Sequence, residues 1–228
     1  MTDRWKRLVP PAAGVLFVGL MVVGIAISNT PDAGSSGAKV IAFYQSHHGR
    51  ANASVLLFGY ASVMAVVFYT GMAAYLRRRG SDLLATLTVV GGVLTAVGLG
   101  LGAGSTAALA DKTSKLSTGA AQALNQISED IFFITLFGGL MVATLAMGIA
   151  ILRTGAMPKA LGIVTVVVGV VAVSGIGAWF AFMGSAPLIL VLAGYLYQRT
   201  GQPESVTLPA VPEQRAEPAT PRRSGAKA

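Results

Sequence analysis

Long apolar runs alternate with short polar clusters along this chain, and most runs have the length of a membrane-crossing helix. The first covers 9–28, follows Arg4, Lys6 and Arg7, and opens with Pro10-Pro11. A spanning helix needs about 20 predominantly apolar residues, whereas the apolar centre of a signal peptide is about 7–15 long. The run is therefore read as an uncleaved span, in preference to a leader cut at the small residues Ala26-Ile27-Ser28. Further spans are predicted over 54–76, 83–105 and 131–152. Arg77-Arg78-Arg79 closes the second, with Gly80 placed just past a helix end, where left-handed backbone is favoured. Ser81 and Asp82 suit the start of the third, where a hydroxyl and a carboxylate serve exposed N–H groups. Pro158, after Arg153-Thr154-Gly155, suits the first turn of a fifth span.

No charge interrupts Ala160 to Tyr197. As one helix this stretch would be ~57 Å long, against a hydrocarbon core of ~30 Å. Two passages are predicted, over 160–178 and 184–198, with a turn inside Gly177–Pro187 and Ser185 and Pro187 starting the last span. The expected fold is thus all-α: a polytopic transmembrane bundle of about six spans.

Two connecting segments carry helical periodicity of their own. Val40, Phe43, Tyr44 and His47 fall on one face, which predicts a short helix in the first external loop, lying in the membrane interface and capped by Gly49. Ala121, Leu124, Ser128 and Ile131 also share a face, so the fourth helix begins above the membrane. Residues 201–228 are proline-rich without apolar periodicity and read as a disordered cytoplasmic tail, while 1–8 form a short cytoplasmic N-terminus.

Composition agrees with lipid as the main solvent. Only 11% of the residues are charged and 54% are hydrophobic, where a soluble domain carries about 25% charge. The net charge of +8 does not argue for nucleic acid, because the cations cluster beside apolar runs, as positive-inside sorting and anionic lipid require. Of 17 Lys and Arg, only Lys39, Arg50, Lys112 and Lys115 fall in the segments read as external. This bias predicts a multi-pass protein of the cell membrane with both termini cytoplasmic. With no cysteine there is no thiolate chemistry and no disulfide framework.

Candidate chemistry is sparse. Gly98-Leu99-Gly100-Leu101-Gly102-Ala103 fits a dinucleotide fingerprint in letters, but it lies inside an apolar helix with no preceding strand. Gly98, Gly100, Gly102 and Gly104 read instead as small residues that let a neighbouring helix approach closely. His47 and His48 are adjacent, so on a regular helix they point about 100° apart and cannot share one metal ion. Glu129 and Asp130 are neighbours, and a carboxylate near a helix start answers the helix dipole without any catalytic role. No nucleophile elbow and no phosphate-binding loop occurs, and no cofactor is called for.

The predicted spans hold no Asp, Glu, Lys, Arg or His. Ion-coupled transporters place ionisable groups at membrane depth to carry the coupling, so a proton- or sodium-driven pump is not expected. That leaves the external segments for polar specificity. Tyr44, His47 and Arg50 are expected to pack with Glu129 and Asp130 around a shallow polar cavity, with Arg50 near one carboxylate. The alternative is that Arg50 meets lipid phosphate and the carboxylates only cap their helix.

Thr30-Pro31-Asp32 with Tyr44 and His48-Gly49-Arg50, then Ser128-Glu129-Asp130-Ile131-Phe132-Phe133, then Arg153-Thr154-Gly155-Ala156-Met157-Pro158 resemble segments of a class of uncharacterised bacterial multi-span membrane proteins of actinobacterial type. The resemblance spans roughly 5–199 and implies no activity. Two functions remain as expectations. One is a non-enzymatic membrane component that scaffolds, senses or partners another envelope protein, with membrane lipid around it and no nucleic acid. The other is a passive facilitator or exporter of small apolar molecules.

Overall fold

The computed structural model describes residues 3–200. The tail expected over 201–228 and the first two residues lie outside the described residues. Seven α-helices follow in order: α1 (Asp3–Ile27), α2 (Gly37–Ser46), α3 (His48–Arg77), α4 (Asp82–Lys112), α5 (Thr118–Thr154), α6 (Lys159–Val171) and α7 (Gly175–Thr200). A single 3₁₀ turn, Thr113–Lys115, joins α4 to α5, and no strand occurs among the described residues. Five helices (α1, α3, α4, α5 and α7) are long and apolar enough to cross a membrane. The sixth apolar helix, α6, has 13 residues and is ~20 Å long, short of the ~30 Å hydrocarbon core.

Each long helix packs on the next in the order α1, α3, α4, α5, α6, α7, and α7 returns to α1, so the six close a ring. One end of this ring holds the start of α1, the α3–α4 and α5–α6 turns and the end of α7. There Pro10 packs on Gly71, the Tyr75 hydroxyl donates to the Ala156 carbonyl at 2.7 Å, and Arg199 Nε donates to the Tyr195 hydroxyl at 3.0 Å. The opposite end is covered by α2. A buried core including Phe17, Phe68, Met72, Leu99, Leu136 and Leu192 runs between the two.

The turns follow from their residues. Gly80 (φ 82°) and Gly155 (φ 61°) adopt the left-handed backbone that ends α3 and α5, which other residues enter only at a cost. The Ser117 hydroxyl accepts from the Ala120 N–H and caps α5, whereas the Ser81 hydroxyl makes no such bond at the start of α4.

Several predicted boundaries shift. Helix α1 begins at Asp3 and carries Pro10 and Pro11 inside it; Gly71 on α3 lacks the Cβ that would collide with the Pro10 ring. Helix α2 ends at Ser46, and Gly49 lies in the first turn of α3, so it caps nothing. The last turn of the chain falls at Ala172–Ser174, ahead of the expected Gly177–Pro187. Ser174 supplies the carbonyl for the first turn of α7, bonded by the Ala178 N–H at 3.0 Å. A side chain at Gly177 would strike the Ser174 hydroxyl and the Val171 carbonyl, so the fold-back needs glycine there. Ser185 and Pro187 sit within α7, and Ser185 donates to the Phe182 carbonyl at 2.6 Å. In lipid a helical proline is tolerated where neighbours or adjacent side chains compensate the backbone bond it removes.

Helix α5 touches α4 almost backbone to backbone. A Cβ on Gly91 would meet the Ala143 backbone and the Gly139 carbonyl, and one on Gly139 would meet Thr95 and the Gly91 carbonyl. Gly98 faces the Leu136 backbone and Gly102 the Phe132 ring. Gly100 and Gly104 have nothing within 4 Å, so only alternate members of the expected ladder pack. A helix turns about 100° per residue, which sets Gly98 and Gly102 on one face and turns Gly100 and Gly104 to the opposite, exposed side.

Candidate functional site

The site is built where α2 folds over the ring. Val40 and Tyr44 of α2, Ala51 of α3, Leu109 and Ala110 of α4 and Ala121 of α5 form a small buried cluster separate from the main core. Gly37 lies so close to the Thr118 carbonyl that no Cβ fits between them, which seats the first turn of α2 on the start of α5. The loop before α2 is held by Asn125, 2% exposed, whose Nδ2 donates to the Pro31 carbonyl at 3.4 Å and the Asp32 carbonyl at 3.2 Å. Asn125 was legible only as a polar residue four positions after Ala121, on a face that packs inward.

Two adjoining spaces lie at this end, the smaller of them lined by α2. The smaller is a water-sized crevice of about 10 Å³, lined by Tyr44, His47 and Arg50 together with Ile27, Asn29 and Phe43. The larger is a cavity of about 320 Å³, lined by Ile25 of α1, Phe58 of α3, Gly102 of α4, Ser128, Glu129, Phe132 and Phe133 of α5, and Trp179 of α7. Ser28, Thr30, Ser54 and Thr106 line both. Five of the six ring helices therefore converge on the cavity, and no Lys, Arg or His is among its lining residues.

Tyr44 is 2% exposed, with its hydroxyl within hydrogen-bonding reach of Thr106. Burial pushes its phenol above the ordinary pKa; the Thr106 bond opposes this and the nearby Glu129 charge adds to it. The phenol thus stays neutral at ordinary pH. His47 stacks on Phe43 at 4.4 Å between ring centres, and its Nδ1 lies 3.0 Å from the Phe43 carbonyl. His48 turns the other way, with Nε2 3.4 Å from Asp111 and 3.3 Å from the Asn52 amide. The two imidazoles part because His47 sits at the break between α2 and α3 while His48 begins α3.

Glu129 is half-buried at the cavity wall, with the Ala33 backbone within hydrogen-bonding reach and Asp32 and Asp130 near enough to repel it. The structure brings Tyr44, His47, Arg50 and Glu129 into adjoining spaces at one end. Asp130 is exposed and lines neither. Among the described residues Arg50 forms no ion pair with Glu129 or Asp130, and His48–Asp111 is the ion pair at this end. The expected bridge fails because Arg50, on the first turn of α3, lines the crevice on the far side of the shared hydroxyl rim. Missed from sequence were the aromatic walls (Phe58, Phe132, Phe133 and Trp179), since an apolar residue inside a span gives no sign of whether it faces lipid or a cavity.

The buried threonine hydroxyls at membrane depth are satisfied within their own helices. Thr88, Thr95, Thr144 and Thr165 are buried, and each donates to the carbonyl four residues back, at 2.7–2.9 Å. No family model, curated protein or solved structure matches this chain.

Proposed function

We propose that this chain is a non-enzymatic, six-span component of a bacterial cell membrane, with both termini cytoplasmic, that senses a small amphiphilic molecule at its external end. The observation that carries this reading is the 320 Å³ cavity, where an aromatic wall meets a hydroxyl rim and one carboxylate beside the crevice that α2 lines. Small-molecule sites occupy about 300–1,000 Å³, so the space suits one small amphiphile better than a two-chain lipid. Sensing is one form of a partner role, with another envelope protein as the reader of the bound state.

Passive facilitation is the weaker reading. It needs a path, and the glycines and hydroxyls that could line one are engaged elsewhere: Gly91, Gly98 and Gly139 in helix packing, and the buried threonines with their own helix carbonyls. Below the cavity Leu99, Leu136, Phe68 and Met72 fill the interior. The test uses the full chain in vesicles of zwitterionic lipid. n-Decanol, a neutral amphiphile, should change Trp179 fluorescence saturably, while entry of ethidium into DNA-loaded vesicles stays at the rate of empty vesicles. A non-saturating response to decanol, or accelerated dye entry, overturns the reading.

A further inference from the structure

Resting on that reading, the charge and shape of the cavity select among amphiphiles. Its wall combines Phe58, Phe132, Phe133 and Trp179 with a single ionisable group, Glu129. Asp32 and Asp130 add negative potential from the side, and the cavity lining includes no cation to offset it. Arg50, the nearest site cation named above, lines the separate crevice, exposed and without an ion pair to either carboxylate. Glu129 is held by the Ala33 backbone but faces no cation in the cavity lining, and a half-buried carboxylate beside aromatic rings without a counter-charge is costly in a medium of low dielectric constant. A cation relieves it twice: by charge against the carboxylate and by attraction to the ring faces.

We infer that the cavity binds a small amphiphile bearing a positively charged amine, with the amine at Glu129, hydrogen-bonded or close to the hydroxyls of Ser128 and Thr106, and the hydrocarbon part along Phe58, Phe132 and Trp179. Ser54, Thr106 and Ser128 each stand one helical turn nearer the α2 end of the bundle than Phe58, Gly102 and Phe132, so the ligand lies head-out, as a single-chain amphiphile does in one leaflet. An anionic amphiphile meets Glu129 there, with Asp32 and Asp130 adding repulsion from outside the lining, and is excluded.

The experiment uses the full chain with Trp5→Phe, which leaves Trp179 as the reporter of the two tryptophans, in zwitterionic nanodiscs titrated with n-decylamine, n-decanol and n-decanoate. Decylamine binds tightest and decanoate weakest. Glu129→Gln weakens decylamine about tenfold, the loss expected when a charge-assisted contact becomes a neutral one, and leaves decanol unchanged. Because partition into lipid is the same for parent and variant, that difference reports the site alone. Phe132→Leu, which keeps the carboxylate, weakens decylamine and decanol together and preserves the amine preference. Equal decylamine affinity in parent and Glu129→Gln, or decanoate binding as tightly as decylamine, overturns the inference. If decanol still saturates in that case, recognition of amphiphiles stands without charge selection; if none of the three saturates on the parent, both readings fall.

Discussion

Asn125 and Tyr69 show how differently two buried polar side chains weigh on one bundle. Asn125 holds the Pro31 carbonyl and shares the Asp32 carbonyl with the Ser35 N–H, and a buried acceptor that loses its donor costs about 1–3 kcal/mol. Asn125→Leu should therefore lower the detergent melting temperature and speed hydrogen exchange across 33–37, just beyond the bonded carbonyls. Unchanged exchange there would show that the loop is held by something else. Tyr69 is 1% exposed with no hydrogen-bond partner for its hydroxyl, and its ring lies against Gly92. Tyr69→Phe removes an unpaired polar atom while keeping the ring, so the melting temperature should hold or rise. A clear fall would reveal a partner for that hydroxyl. Glu129 and Arg50 were legible as external charges, but not as occupants of separate spaces, since they lie on α5 and α3 and the periodicity of one helix does not relate it to another.

Between elements, the closest approach is α4 on α5, and its placement makes a graded prediction. Leucine at Gly91 or Gly139 must push two backbones apart, whereas leucine at Gly100 enters open space. Transmembrane packing contacts are worth about 0.5–2 kcal/mol each, so the first two should melt well below the parent and Gly100→Leu should match it. Gly102→Leu should fall between, because it meets the Phe132 ring, which can rotate, and no backbone. If Gly100→Leu proved as damaging as Gly91→Leu, the assigned face of α4 would be wrong. The small-residue run at 98–104 pointed to the right helix. It missed Gly91 and Gly139, because each stands in a Gly-Gly pair, Gly91-Gly92 and Gly138-Gly139, that shows no four-residue spacing and does not reveal which member packs until the partner helix is in place. The same limit moved the α6–α7 turn: Ser185 and Pro187 are acceptable helix starters in isolation, yet the contact of Gly177 with Ser174 and Val171 puts the fold-back upstream.

At the scale of the whole molecule, a ring with α2 at one end and the arginine turns at the other makes a topological prediction that the absence of native cysteine renders clean. With six crossings, cysteines introduced at 38, 115 and 173 should react with an impermeant reagent in intact cells, while those at 80, 156 and 228 should react only after lysis. Labelling at 38 and 115 with protection at 173 would mean that α6, at 13 residues, dips into the membrane without crossing it. The sequence by itself determined that the chain is helical and built for lipid, where its main helices lie, and that its charges gather at helix ends. Those features depend on hydrophobic length, on backbone groups that must be bonded within a helix in lipid, and on the preferences of glycine and proline at turns, all of them local. Only the tertiary structure decided which glycines pack, where α6 turns into α7, and that Ile25, Phe58, Glu129, Phe133 and Trp179 enclose one space. These depend on which faces of different helices meet. In a membrane the lipid-facing and bundle-facing sides of a helix are equally apolar, so hydrophobic pattern does not encode that choice.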